Sequence, residues 1–185
     1  MVSHDTTWFG CGLSQEKFSD VQIMSCPLES QHVGKELLNT LVQLPIDAVF
    51  TLLFVQEQFM IDVYQAKKTT EVTATSWQEQ EDGCKTRQMT YTMTLPPSNI
   101  SPKYSYVTEN QTLLPQSNPG STYIVEAEVI NSGIPYADSF TVIKHCCIIK
   151  QEDGRTGVVV WVSVKFKKTV WGFVKSELQG SACYF

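Results

Sequence analysis

Between residues 70 and 168 the chain repeats one theme, a stretch rich in Thr, Val, Ile and Tyr followed by a cluster of turn-forming residues. Strand-like segments fall at about 70–80, 84–95, 103–114, 121–131, 138–150 and 155–168. They are separated by E-D-G, L-P-P-S-N-I-S-P, S-N-P-G, S-G-I-P-Y-A-D-S-F and a second E-D-G. Short turns of Asp-Gly type join antiparallel neighbours, so consecutive segments of this kind predict a meander. Q-E-D-G occurs at both 80–83 and 151–154, which reads as repeated turn chemistry and not as a duplicated domain.

Two segments show which way the sheet faces. In R-Q-M-T-Y-T-M-T-L, Met89, Tyr91, Met93 and Leu95 alternate with Gln88, Thr90, Thr92 and Thr94. In G-V-V-V-W-V-S-V-K-F-K, Val158, Val160, Val162, Val164 and Phe166 share one side while Ser163, Lys165 and Lys167 take the other. Period-two alternation puts one apolar face on a sheet, and that face needs a second layer. The helical candidates are few. Residues 33–42 read as a first strand, after which L-P-I-D sets Pro45 at a first helical position, with Ile46, Val49, Phe50 and Leu53 at spacings of three and four. A second helix over about 56–67 carries the stripe Phe59, Met60, Val63 and Tyr64, and a final one begins near Val170 in V-W-G-F-V-K-S-E-L. The expected fold is α+β, a strongly curved antiparallel sheet of about seven strands with a helix pair after the first strand and a C-terminal helix closing the cup. So few helices over so long a sheet leave either a hollow or a tightly filled core. Flexible Met and amphipathic Tyr on the inward side, at Met89, Met93, Tyr91 and Tyr123, suit a cavity wall.

The bulk properties narrow the function. At 185 residues, 42% of them hydrophobic, the chain fits one domain with a leader at 1–32 and a tail at 181–185. The net charge of -5 argues against nucleic acid. Positive charge is bunched at Lys67-Lys68 and at Lys165, Lys167, Lys168 and Lys175, either as a solvated face or as a contact with anionic headgroups. No apolar run approaches the roughly 20 residues of a membrane span. The N-terminus has no signal-like basic flank and apolar core, which points to the cytosol. The six cysteines form no C-x-x-C pair or even framework, so reduced thiols are expected. His145-Cys146-Cys147 has no second ligand pair at metal-site spacing, so no metal is assigned and no cofactor is expected.

The connection S-G-I-P-Y-A-D-S-F is unusually apolar for a turn, and its I-P-Y-A-D-S-F closely resembles the V-P-Y-x-D-x-F signature of the VASt domains, the StART-like lipid-transfer modules of the Aster and Lam/Ltc sterol-transfer proteins. K-E-L-L-N-T-L-V-Q-L-P-I-D-A-V-F-T-L-L-F resembles that family's first strand and helix, and S-W-Q-E-Q-E-D-G its P-W-x-x-E-E-N-G hairpin. T-R-Q-M-T-Y-T-M-T-L, P-K-Y-S-Y-V-T-E-N-Q-T, Y-I-V-E-A-E-V and W-G-F-V-K follow in family order, closest to the animal Aster branch. The resemblance covers about residues 33–178 and implies a helix-grip cup at 33–180 that encloses one sterol and passes it between membranes, without catalysis. In that family the module sits at endoplasmic reticulum contact sites. The implied partners are a cholesterol-like or oxysterol ligand and, transiently, an anionic membrane touched by Lys165, Lys167, Lys168 and Lys175; a monomer is expected.

The candidate lipid-contacting residues follow element by element. The helices supply Phe54, Phe59, Met60, Val63 and Tyr64. The strands supply Met89, Tyr91, Met93, Tyr123, Val125, Val160 and Val162. The apolar connection supplies Ile134, Tyr136 and Phe140, which either seal the sheet against a helix or face the ligand entrance; Asp138 is expected to bond turn amides. The closing helix supplies Trp171, Gly172 and Val174. The family's last helix runs on as a long amphipathic lid, whereas here Q-G-S-A-C-Y-F follows after barely two turns; this implies a shortened form, or Cys183, Tyr184 and Phe185 packing back over the opening. Two alternatives stand beside the carrier. A helix-grip enzyme of the cyclase or hydratase type needs an acid and a base aimed inward. Against it, His145 reads as a buried, satisfied histidine and Glu126 and Glu128 have no evident partner. A third reading is an interaction module whose core is full.

Overall fold

The computed structural model describes residues 26–28, 32–95 and 102–169. The expected closing helix, with Trp171, Gly172, Val174 and Lys175, lies outside the described residues, as do the tail and all of the leader before Cys26.

The meander forms as the alternation predicts. After β1 (Lys35–Val42), α1 (Ile46–Phe54) and α2 (Glu57–Ala66) come β2 (Thr69–Ala74), β3 (Gln78–Glu79), β4 (Lys85–Thr94), β5 (Tyr104–Leu113), β6 (Thr122–Ser132), β7 (Phe140–Lys150) and β8 (Thr156–Phe166). The eight strands make one antiparallel sheet in the order β1-β8-β7-β6-β5-β4-β2, with β3 paired to β4. One strand beyond the expected seven comes from a split: a short β3 stands apart from β2, so the segment expected at 70–80 is two pieces.

Both E-D-G turns are built alike. Gly83 (φ +81°) and Gly154 (φ +82°) take the left-handed conformation that only glycine adopts without strain. The preceding carboxylates, Asp82 and Asp153, each accept a hydrogen bond at 3.0 Å from the backbone N–H two residues on, at Cys84 and Arg155. The same four residues give the same turn because the chemistry is local.

The two strands flanking the helix pair lie on opposite edges of the sheet, β1 at one and β2 at the other. Helices α1 and α2 therefore cross the full width of the apolar face, which is what a helix-grip architecture requires. Pro45 sits one position earlier than expected, as the N-cap (φ -59°), with its carbonyl receiving the Val49 N–H at 3.1 Å. Asp47 in the first turn of α1 accepts from the Tyr123 hydroxyl at 2.6 Å and from the Gly120 N–H at 2.9 Å, tying the helix start to β6. At the other end of α1, Trp77 donates its indole N–H to the Phe54 carbonyl at 3.0 Å, occupying one of the acceptors a helix C-terminus leaves open.

Two apolar clusters hold the layers together. Ile46, Val49 and Phe54 pack on Tyr123, Val125, Ile148 and Val158, with Phe50 stacked on Tyr123 at 4.1 Å between ring centres. Further along the sheet Tyr91, Val107, Val129, Phe140, Val142 and Val162 form a second. Phe140 is only 1% exposed, so this end of the apolar connection seals the sheet, and Ile134 packs against the same cluster. Tyr136 is different: it takes a left-handed φ of +60° and points into solvent, 53% exposed. Asp138 pairs with the Lys168 ammonium and accepts from Ser139 Oγ at 3.2 Å.

The convex side of the sheet is not bare. Cys26 is buried among Ile124, Cys147, Ile149 and Val159, with Leu28 packed alongside, so the end of the leader lies on the back of the cup. Cys26 and Cys147 are joined as a disulfide. This corrects the expectation of reduced thiols throughout, which rested on spacing along the chain and could not register a partner 121 residues away.

Candidate functional site

Between α1 and α2 on one side and β4, β5, β6, β7 and β8 on the other is a cavity of about 340 Å³. Its walls are what the alternation implies: successive inward side chains of the strands. Phe54, Phe59, Met60, Val63 and Tyr64 reach it from the helices. Met89, Tyr91, Met93, Val125 and Val160 reach it from the sheet. These ten of the expected residues are brought together. Tyr123 and Val162 are not among its walls; each is consumed in one of the two packed clusters. Ile134, Tyr136 and Phe140 do not line it either, since the connection they belong to closes the far end of the sheet. The cavity wall also includes small residues, Ala127 and Cys146, which leave space that larger side chains would take.

The floor is polar, and here sequence reasoning missed the principal group. Glu109 on β5 is 2% exposed and faces the cavity. Its carboxylate accepts from Lys144 Nζ at 2.7 Å, from the Tyr91 hydroxyl at 3.0 Å and from Gln111 Nε2 at 2.7 Å. Gln111 in turn accepts from Arg87 Nε at 2.7 Å, and the Arg87 guanidinium lies over the Trp77 ring at 4.8 Å and against the Met60 and Met89 sulfurs. Burial alone would raise the Glu109 pKa, but the Lys144 ammonium and the donated hydrogen bonds outweigh it and hold the carboxyl below its usual range. Burial and the Glu109 charge push the Tyr91 and Tyr64 phenols far up, so both stay protonated. Burial pushes the Cys146 thiol up to about 12 despite the nearby Lys144 charge.

Glu126 and Glu128 belong to the convex face, and contrary to the sequence-based expectation Glu126 has a partner there, 3.3 Å away at His145 Nδ1. The signal for Glu109 was present only as alternation in Y-S-Y-V-T-E-N-Q-T-L, whose two faces are both largely polar.

This hydrogen-bonded network offers a charged-and-hydroxyl patch in a largely apolar space, whose lining also includes Lys67 and Thr69. A carboxylate already bonded to three donors is a weak proton acceptor, and the arrangement suits recognition more than acid–base chemistry. The fold and the site define a StART-like cup of the lipid-transfer class. The VASt family model, described as the VAD1 analog of StAR-related lipid transfer domain, matches residues 36–183, and the chain belongs to that family. Among relatives, it is 27% identical over 146 residues to protein Aster-B of Mus musculus, covering 79% of this chain and 20% of that protein. It is 29% identical over 150 residues to protein Aster-A of Rattus norvegicus, covering 80% and 20%. The chain thus spans about one fifth of the length of the curated relatives it matches. Among solved structures, the Mll3558 protein from Rhizobium loti is 11% identical with a TM-score of 0.43, covering 83% of this chain and 92% of that one, a likeness too slight to carry an argument. The family is one of lipid-transfer domains. Among the described residues no helix is long and apolar enough to cross a membrane.

Proposed function

We propose that this domain binds one sterol, cholesterol or an oxysterol, in the cavity between α1–α2 and the sheet, and carries it between membranes. The observation that supports this reading is the pairing of a largely apolar hollow of about 340 Å³ with a hydrogen-bonded polar floor at Glu109, Lys144, Gln111 and Tyr91. A rigid lipid with one hydroxyl can satisfy that floor with its polar end and the Met and Val walls with its body. Covering on the order of 500 Å² of sterol at ~25 cal/mol per Å² gives about 12 kcal/mol relative to water, much of it offset by association costs. The donor bilayer is equally apolar, so exchange is near neutral and reversible and needs no nucleotide.

The membrane contact fits the exposed lysines Lys165, Lys167 and Lys168 at the end of β8, where each basic residue near an anionic surface contributes about 1 kcal/mol. Such a domain would act at endoplasmic reticulum contact sites, the placement that its resemblance to the VASt domains implies.

Dehydroergosterol provides the test, read as uptake by the domain and as transfer between liposomes. Both signals are expected, and Ala127→Phe, which puts a ring into the cavity from its wall, should abolish them while leaving the circular dichroism unchanged. Uptake unaltered by that substitution, or no uptake by the unmodified domain, would remove the reading.

A further inference from the structure

On the back of the sheet, remote from the cavity, four side chains of metal-ligating type converge: Cys26, His32, His145 and Cys147, with one ligand atom of each lying within 4.8 Å of all the others. We infer that in the reduced protein these four form a structural Cys2His2 site for Zn²⁺ that pins the segment before β1 onto the convex face. A zinc ion bound tetrahedrally, with Zn–S of about 2.3 Å and Zn–N of about 2.0–2.1 Å, places its ligands about 3.3–3.8 Å apart. The separations of Cys147 Sγ from His145 Nε2 (3.3 Å) and from His32 Nε2 (3.6 Å) already lie in that range, and Cys26 Sγ is 4.0 Å from His145 Nε2.

The backbone explains how the set arises. His145 and Cys147 are two apart on β7 and so project to one side, whereas Cys146 between them turns to the cavity. The second pair, C-x5-H, comes from the leader. It is delivered by Gly34, whose φ of +103° and position against β8 let the chain pass close enough for His32 to stack on Trp161 at 5.4 Å.

Two further features favour a metal. Glu126 lies 3.3 Å from His145 Nδ1, leaving Nε2 turned toward the cluster, the carboxylate–histidine arrangement that orients zinc ligands. The charge also balances: two thiols lose their protons as the divalent ion binds, giving a neutral centre where Cys147, Cys26 and His145 are 0%, 7% and 7% exposed. The disulfide and the metal centre are alternative states of the same two sulfurs, since only the dithiol form can be deprotonated to two ligands.

The 185-residue chain, purified with reductant, should carry one zinc per molecule by elemental analysis. Cobalt substitution should give the intense visible bands of a tetrahedral thiolate site. Cys26→Ser and His32→Gln, both in the leader and outside the sheet, should each abolish stoichiometric metal, Glu126→Gln should weaken it about 10–100-fold, and Cys146→Ser should leave it unchanged. Metal below a tenth of an equivalent after reduction and addition of zinc, cobalt spectra of an octahedral site, or full retention in the Cys26→Ser and His32→Gln variants would each overturn the assignment.

Discussion

Replacing Lys144 by Met removes the ammonium from beneath the cavity and keeps the length of the side chain. What remains is a carboxylate, Glu109, that is 2% exposed. Breaking one side of a buried ion pair costs about 3–5 kcal/mol because the other charge stays buried. Gln111 and Tyr91 still donate to Glu109 at 2.7 and 3.0 Å, which places the expected loss at the low end, about 3 kcal/mol. For a chain of this size that is a fall in melting temperature of about 6–12 °C. The pH dependence has a definite sign. In the unaltered protein Glu109 is held below its usual pKa, so its contribution is present above the unfolded carboxyl value of about 4.3 and is lost as pH falls through the lower folded value. Without Lys144, burial dominates and the folded pKa rises above the unfolded one. Stability is then retained at low pH and lost as pH climbs, so the deficit of Lys144→Met is largest near neutrality and shrinks toward pH 4. Adding Glu109→Gln to Lys144→Met removes the stranded charge and should recover most of the loss. Urea unfolding of the two single variants and the double, at pH 4 and 7, measures this. A loss under about 1 kcal/mol, or a double variant no more stable than Lys144→Met, would refute the view that Glu109 is an ionised group dependent on its counterion.

Gly34→Ala should destabilise the fold by about 3–5 kcal/mol, since its Cβ would meet the Val162 carbonyl oxygen at 2.2 Å in a left-handed backbone; denaturant titration checks it. Tyr123→Phe should cost about 1 kcal/mol through the lost bond to exposed Asp47. In the unaltered protein the Tyr123 phenol, pushed up to about 12 by burial and by Asp47, should titrate late in ultraviolet difference spectra, with stability falling as pH rises past 10. The Cys146 peptide should remain unlabelled by maleimide at pH 8 in the native protein and label fully in urea, as befits a thiol pushed up to about 12 inside the cavity.

Strand placement was legible because its causes are local. Met89, Tyr91 and Met93, and Val158, Val160 and Val162, announce a face by alternation, and Asp82-Gly83 and Asp153-Gly154 announce turns by their own backbone chemistry. The stripe at Phe59, Met60, Val63 and Tyr64 similarly read as a helix face, and all four residues reach the cavity. What alternation cannot supply is sidedness where both faces are polar, as in β5, and so Glu109 and Gln111 went unseen. Distance in sequence hid the rest. Glu109 meets Lys144 across β6, and Cys26 and His32 meet His145 and Cys147 only after the leader folds against the back of a finished sheet. Composition also ranked Tyr123 and Val162 with the cavity residues, although neighbouring rings and strands absorb them.

The pairing of β1 with β8 sets an order of events during synthesis. Lys35 finds Val162, and Val42 finds Thr156, only when nearly all of the described chain has left the ribosome. Until then one edge of the growing sheet is open, and a first strand carrying Leu37, Leu38 and Leu41 waits without its neighbour, a long-range closure of the kind that slows folding. Nascent chains arrested before Thr156 should accordingly be cut readily by protease within residues 35–66, and those extended past Phe166 should resist; equal resistance at both lengths would mean that the helices dock without the final strand.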